Sequence, residues 1–388
     1  MGKRRGNNEG SIYQRKDGRW VGQVQVGYKS DGSRKLMTCY GKTRADVSKK
    51  IANTLSDISK NIFVDTNQMT VEEWIWNWLK IYKKGTVKPN TYARYIYVIN
   101  DYIVPALGKI KLKNLTSLKI QNLYNDCKEK GLSPSSIKHV HTILSPALTQ
   151  AVKEGIITAN PAYNTTRPSI KKANVNVFTV EQQGLLVASL FNDTMGVLIK
   201  LALATGGRIG ELLGLKWEDV DFEKLEITFK QGIVNEYDFD DENHTSKFKK
   251  VTLNDLKTDS SERTIPITKA TANMLREYKL NQRSYLKQVP ANITIIPEMV
   301  FLNEAGNYLD NASVRKRYKT ILKNLGIPYI KFHALRHTFA TRVLEANIHP
   351  KIAQTLLGHS EMRTTMEVYS HVLPDQKRMA IEKISEVI

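Results

Sequence analysis

Only two cysteines occur in the 388 residues, Cys39 and Cys127. Two isolated thiols cannot build a disulfide framework, and they lack the paired spacing of a zinc site, so a reducing, cytoplasmic setting is expected. Long apolar runs are missing too. The most apolar stretch, Met195 to Ala204, is short and is interrupted by Lys200, which excludes a membrane span there. The basic start, Met1-Gly2-Lys3-Arg4-Arg5, is not followed by an apolar segment, so no signal peptide is expected. There is no internal repeat and no low-complexity tract. Acidic residues are scarce beside basic ones: 38 Asp and Glu face 58 Lys and Arg, a net charge of +20. An excess of that size suggests a polyanionic partner, nucleic acid or an anionic membrane, with a merely soluble basic protein as the bland alternative. It is unevenly placed, with 30 basic and 12 acidic residues in 1–172 but 28 and 26 in 173–388. The front half therefore reads as the grip on the polyanion, and the nearly neutral remainder has another task.

The length allows two or three domains. Residues 10–60 read as three strands, Ser11 to Arg15, Trp20 to Tyr28 and Arg34 to Tyr40, punctuated by Asp17-Gly18 and Asp31-Gly32. Alternation puts Trp20, Gly22, Val24, Val26 and Tyr28 on one face and Val21, Gln23 and Gln25 on the other. Thr43 and Asp46 resemble a capping box that opens a helix running to about Ile58. A small sheet presenting Lys16, Arg19, Gln23 and Gln25 can enter a major groove, where glutamine pairs with adenine; a plain structural meander with a solvated face is the alternative. Residues 61–69 read as a polar linker. Residues 70–162 read as helices, opened by the capping box Thr70-Val-Glu-Glu73. Trp74, Trp78 and Tyr82 recur every four residues and are expected in a core rather than as a stacking platform for bases. Lys88, Asn90, Thr91, Arg94, Ser133, Ser135, Ser136 and Lys138 gather at helix starts, which suits phosphate contact; ordinary capping explains the serines equally well.

The third segment mixes helices with a few strands, at Leu225 to Val234 and Glu262 to Ile267. Its helices are expected near 194–204, 208–215, 269–285, 311–324, 334–346, 350–357 and 361–369. Three of its places hold residues that packing does not ask for. Thr205-Gly-Gly-Arg208-Ile-Gly-Glu211 sets an arginine directly after a helix break, with Glu211 on the same face to orient it. Leu256-Lys257-Thr-Asp-Ser-Ser-Glu-Arg263-Thr-Ile-Pro266 reads as a turn-rich hairpin with a lysine on its first arm. His333-Ala-Leu-Arg336-His337, Leu357-Gly358-His359 and Tyr369-Ser370-His371 complete the set. His333 and Arg336 share a helix face, and Gly358 can end a helix and present His359.

Cations, hydrogen-bond donors and one phenol suit phosphodiester cleavage without metal. Phosphoryl transfer is catalysed mainly by positioning and by stabilising charge on the equatorial oxygens. Guanidiniums hold those oxygens bidentately, a phenol among cations becomes a nucleophile, and a lysine can protonate the departing sugar oxygen. Competing readings are weaker. His333 and His337 have the spacing of a helical zinc pair, but Ala334 stands where the glutamate of such a motif belongs, so no metal is expected. Asp238, Asp240 and Glu242 lack the glycine of a calcium loop and read as a solvated loop.

Taken together, these motifs resemble the catalytic domain of the tyrosine site-specific recombinases, in their phage and integrative-element integrase branch. The middle segment is similar to the helical core-binding domain of that family at Ile103, Pro105, Leu107-Gly108, Ile110, Gly131-Leu132-Ser133 and Asn160-Pro161. The first segment resembles, more loosely, its arm-binding domain. Gly207 departs from the pattern, where a larger apolar residue often precedes the arginine, and the 236–250 stretch is long, which loosens the register of the lysine hairpin.

The resemblance implies a multidomain, mainly α protein with small β elements: an arm-type DNA-binding domain at 1–62 (three-stranded sheet plus helix), a helical core-binding domain at 68–165, and a mixed α+β catalytic domain with a C-terminal tail at 174–388. It implies a metal- and ATP-independent DNA strand transferase with no cofactor. Arg208 and Arg336 would clamp the scissile phosphate, with His359 as a further donor. His333 would serve as acid/base, Lys257 as general acid, Glu211 as a buttress, and Tyr369 as the nucleophile forming a 3′-phosphotyrosine. It further implies core- and arm-type sites on duplex DNA, a homotetramer on that DNA, and helpers such as an excisionase or a host DNA-bending protein, with no membrane partner. The tail could dock onto a neighbouring copy or pack on itself. A type IB topoisomerase and a non-catalytic DNA-binding regulator on the same fold are the rival readings; the arm-like segment argues against the first, and the intact set of six catalytic candidates against the second.

Overall fold

The computed structural model describes residues 10–28, 33–59, 68–170, 176–255, 262–346 and 348–358, and the single positions 361, 362, 366 and 385. The chain divides into two compact units, Met1–Lys171 with Phe239–Ser246, and Lys172–Asp238 with Lys247–Ile388.

In the first unit, β1 (Ser11–Gln14), β2 (Trp20–Tyr28) and β3 (Arg34–Gly41) form the expected antiparallel meander, with Gly22 opposite both Ile12 and Cys39. Helix α1 (Arg44–Ser59) follows, started by the Thr43 hydroxyl, which accepts from the Asp46 amide at 3.1 Å. It lies across the face that carries Gly22, where an added Cβ would stand 2.5 Å from Val47 and 2.6 Å from Ile51. Val21, Val24, Val47 and Ile51 are buried, while Gln23 and Gln25 keep part of their surface open.

The helical part of this unit begins with α2 (Val71–Trp78), capped reciprocally by Thr70 and Glu73 as the sequence predicts, and continued by a π-helical turn, Leu79–Lys83. Next come α3 (Pro89–Val98), a π-helical turn Ile99–Ile103, α4 (Val104–Leu107), α5 (Ser117–Glu129) and α6 (Pro134–Lys153). Their apolar stripes share one core that includes Trp74, Trp78, Ile99, Ile120 and Leu148. The Trp74 indole N–H donates to the Ala147 carbonyl at 2.8 Å, so a buried donor is satisfied. The aromatic stripe is core, as expected.

The stretch expected as a solvated acidic loop has Asp238, Asp240 and Glu242 exposed, as expected, but it is the end of a strand and a turn rather than a loop, and the rings between the acids are packed. Phe239 packs edge-on against Tyr92 with centroids 4.9 Å apart, and the His244 ring stacks on Trp76 at 4.0 Å. The Asn100 side chain donates to the His244 carbonyl at 2.7 Å. The acidic residues alternate with Tyr237 and Phe239, and it is that alternation, not the charge, that decides the conformation.

The second unit holds α7 (Val180–Ser189), α8 (Thr194–Thr205), α9 (Ile209–Leu213), β4 (Val220–Asp221), β5 (Glu226–Phe229), all but the adjoining ends of β6 (Gln231–Asp240) and β7 (Thr245–Asp255), then β8 (Arg263–Pro266), α10 (Lys269–Leu286), α11 (Asn311–Asn324), α12 (His333–Glu345) and α13 (Pro350–Leu357). The single strand expected at Leu225 to Val234 is two: β5 joins the sheet β4-β5-β8, and β6 pairs with β7 in a separate ribbon. Within the sheet Phe229 faces Arg263 and Ile227 faces Ile265. Helix α8 is apolar on nearly every side, with Val197, Leu198, Ile199, Leu201 and Ala202 all buried, and so serves as the rod around which α10, α11 and α12 pack. Among the described residues no helix is long and apolar enough to cross a membrane.

Candidate active site

The site grows from the end of α8. Thr205 folds its hydroxyl back onto the Leu201 carbonyl at 2.7 Å, and Gly206 closes the helix in the left-handed region at φ +64. An added Cβ at Gly206 would lie 2.5 Å from Phe339 and 3.0 Å from Leu357. The turn is tight at Gly207 as well, where a Cβ would stand 2.9 Å from Leu212 and 3.0 Å from Phe229. Neighbouring side chains fill the space that a larger residue before the arginine would take. Arg208 then caps α9. Its backbone N–H donates to Glu211 Oε2 at 2.8 Å, and its Nη1 donates to Glu211 Oε1 at 2.6 Å. The Arg208 side chain is 38% exposed, whereas that of Glu211 is buried.

Helix α12 brings Arg336 to the same place. Arg336 is 3% exposed, donating Nη1 to the Gly206 carbonyl at 2.8 Å and Nη2 to the Leu357 carbonyl. Burial, followed by the neighbouring charges of Arg208 and Arg263, lowers its pKa to about 9, which leaves it cationic at neutral pH. His333 opens α12, its ring perpendicular to that of His337 with centroids 4.6 Å apart. Crowding by protein, then His337, Arg336 and Arg208, pulls the His333 pKa down, toward about 4; the residue is itself exposed, and water lessens the drop. Burial and Arg336 also lower His337.

Glu211 binds these parts together. Burial alone would raise its pKa, but the hydrogen bond and charge of Arg263, then the charge of Arg208, outweigh burial and hold the carboxyl below its usual range. The Arg263–Glu211 pair, 2.8 Å apart, is buried on both sides. The sequence motif by itself gives Arg263 no role. The signal that could have found it is the strand alternation of β8, which turns Arg263 inward with Ile265.

Of the predicted catalytic set, Arg208, Glu211, His333 and Arg336 are brought together. Lys257, His359 and Tyr369 lie outside the described residues, as does most of the helix expected at 361–369. No group of His, Cys, Asp and Glu able to hold a metal ion occurs among the described residues. A cleft of about 680 Å³ elsewhere in this unit is lined by Asn192, Tyr278, Tyr285 and Arg317 and by none of the predicted site residues.

The predicted DNA contacts fall in the first unit. Lys16 and Arg19 are on the exposed β1–β2 turn. Lys88 caps α3 with Asn90, Thr91 and Arg94 in its opening turns, and Ser135 and Lys138 open α6; all but the half-buried Thr91 are exposed. Burial, then the charges of Arg94 and Lys138, lower the pKa of His139, so those two cations bear on one place.

Residues 189–376 match the phage integrase family, and residues 70–127 match the N-terminal SAM-like domain of phage integrases. A tyrosine recombinase XerC-like protein of Caldanaerobacter subterraneus subsp. tengcongensis is 33% identical over 94% of this chain and 95% of its own length. Among solved structures, the Tn1549 transposon integrase in complex with transposon right end DNA superposes with a TM-score of 0.66 at 23% identity, over 82% of this chain and 100% of that one. A lambda integrase dimer bound to a core site superposes with a TM-score of 0.59 at 19% identity, over 95% of this chain and 96% of that one. Those likenesses agree with a multidomain, mainly helical fold carrying small antiparallel sheets. The match along nearly the whole length of both chains, on a site built from paired arginines and a buried glutamate, places this protein in the phage integrase family: it is a tyrosine recombinase, a DNA strand-transferring enzyme.

Proposed function

We propose that this recombinase cuts and rejoins duplex DNA at specific sites through a 3′-phosphotyrosine on Tyr369, and so inserts and excises a mobile element. The observation that carries the residue roles is the convergence of Arg208 and Arg336 beside Glu211 and His333, with Arg208 still partly open to solvent. Two guanidiniums at one place match the non-bridging oxygens of a phosphodiester. His333, held neutral, is able to accept the phenol proton as Tyr369 attacks phosphorus. The bond to the 5′ oxygen breaks, Lys257 supplies its proton, and His359 donates to the phosphate. The tyrosyl ester conserves the bond energy, so the reverse step reseals the strand without ATP.

The three-module division at 1–62, 68–165 and 174–388 belongs to this reading, with the first module on arm-type sites and the helical module on the core site. Four strand cuts then require a homotetramer on DNA. The related solved structures support it: one is a lambda integrase tetramer bound to a Holliday junction.

The test is direct. A pool of nicked duplexes of randomised sequence is incubated with the full chain, and covalent protein–DNA adducts are isolated and sequenced. Tyr369→Phe is expected to bind the selected duplex and form no adduct; an adduct trapped by that variant removes Tyr369 from the role.

A further inference from the structure

Three consecutive carbonyls at the end of α13 accept from three arginines. Leu356 O accepts from Arg263 Nε at 2.9 Å, Leu357 O from Arg336 Nη2, and Gly358 O from Arg208 Nη2 at 3.2 Å. These carbonyls sit at the negative end of the helix and have no partners within it. Arg208 and Arg336 belong to the phosphate clamp described above. Arg263 does not: its side chain is 5% exposed, closed in by the Phe229 ring 4.8 Å below its guanidinium carbon. Its Nε and Nη2 are committed to the Leu356 carbonyl and to Glu211, which gives it a task other than holding a phosphate.

We propose that Arg263 is a positioning residue for strand transfer, one that fixes Glu211, and through it Arg208, while anchoring the turn of α13 that leads into His359. The inference rests on the tyrosine-transfer reading of the site. Glu211 spends Oε1 on Arg208 Nη1, and Oε2 on the Arg208 backbone N–H and on Arg263 Nη2. One carboxylate thus sets both the backbone and the guanidinium of Arg208, and only while it is ionised are these bonds charge-assisted. Without Arg263 the penalty of burying Glu211 is opposed by Arg208, through its backbone N–H and a side chain partly in water, and by the charge of Arg336. The carboxyl then takes up a proton closer to neutral pH, and the hold on Arg208 weakens as it does so. A simple structural role would be served as well by apolar residues of the same volume, since buried ion pairs seldom add net stability. What the triad adds is placement.

The experiment compares Arg263→Met, Arg263→Lys and the double variant Arg263→Met/Glu211→Gln with the unchanged chain, on the duplex selected above. Displacing one clamp guanidinium by an ångström is enough to slow adduct formation about a hundredfold. Arg263→Met is expected to show that loss with little change in DNA affinity, and its rate is expected to fall further as pH drops, along a new acidic limb. Arg263→Lys is expected to recover much of the rate and to lack the limb, and the double variant is expected to be slow but free of it. The Glu211 carboxyl is also read without any cleavage, as a protonated-carboxyl infrared band present in Arg263→Met and absent from the double variant. A wild-type rate and pH profile in Arg263→Met, or a uniform slowing with no such band, overturns the proposal. Failure of the unchanged chain to form an adduct sinks the tyrosine-transfer reading instead, and the infrared band still decides whether Arg263 controls Glu211.

Discussion

His333 shows how a single residue takes its chemistry from its setting. It begins α12, where crowding by protein, then His337 and the cations Arg336 and Arg208, all oppose a further proton. An unfolded histidine takes up its proton near 6.5, and this one waits until about 4. The unfolded chain therefore binds more protons in that window, and its stabilisation grows as pH falls. His333 costs the fold nothing above about 6.5 and progressively destabilises it down to about 4. The urea midpoint is expected to drop between pH 7 and pH 5, and His333→Gln is expected to remove part of that drop, with His337 supplying another part. An equal drop in both proteins would show that water at the exposed edge cancels the effect. Arg208, Glu211, His333 and Arg336 were legible in sequence because local spacing places each at a helix start or on a shared face. Arg263 was not, because its partners lie 52 and 93 residues away along the chain, and nothing local requires a cation inside a strand.

At the scale of elements, the ends of α8 and α13 carry the site, and both are closed by a left-handed glycine. Gly206→Ala tests how tightly. The left-handed backbone costs an alanine about 1–2 kcal/mol. The new methyl also meets Phe339 and Leu357 at 2.5 and 3.0 Å, and such overpacking adds about 1–3 kcal/mol. Gly131, at φ +80 with nothing within 4 Å of an added Cβ, is the control that pays only the backbone part. Chemical denaturation is expected to rank Gly206→Ala well below Gly131→Ala in stability. Because the Gly206 carbonyl accepts from Arg336, only the former is expected to impair strand cleavage; equal losses would mean that Phe339 simply moves aside. Helix starts were readable, with Thr70–Glu73 forming the expected reciprocal cap, and Thr179–Gln182 forms another. The strands were less so. Neither the break between β5 and β6 nor the pairing of β8 with β5 rather than with its chain neighbour β7 is specified by local alternation.

For the whole molecule, charge distribution is the property that sequence states most plainly and that a static structure tests least. Residues 1–66 carry 14 basic and 6 acidic residues, and the described part of this segment has its own small core of Val21, Val24, Val47 and Ile51. None of its described residues belongs to the apolar core of the helical segment that follows, so deleting 1–66 is expected to leave that core intact. If the sheet is an arm-type module, the truncated chain is expected to bind the duplex selected for cleavage with an unchanged footprint, and to lose any separate footprint of the full chain. The salt dependence discriminates further. Each phosphate contact contributes about 0.9 to the slope of log K against log salt. Loss of a handful of contacts therefore lowers the slope on a long DNA carrying both kinds of site by several units, while the slope on the short duplex stays the same. A slope that falls equally on both DNAs would mean that the sheet adds only a diffuse positive field. A slope and footprint unchanged on both would make the sheet a structural meander, with Gln23 and Gln25 reading no bases.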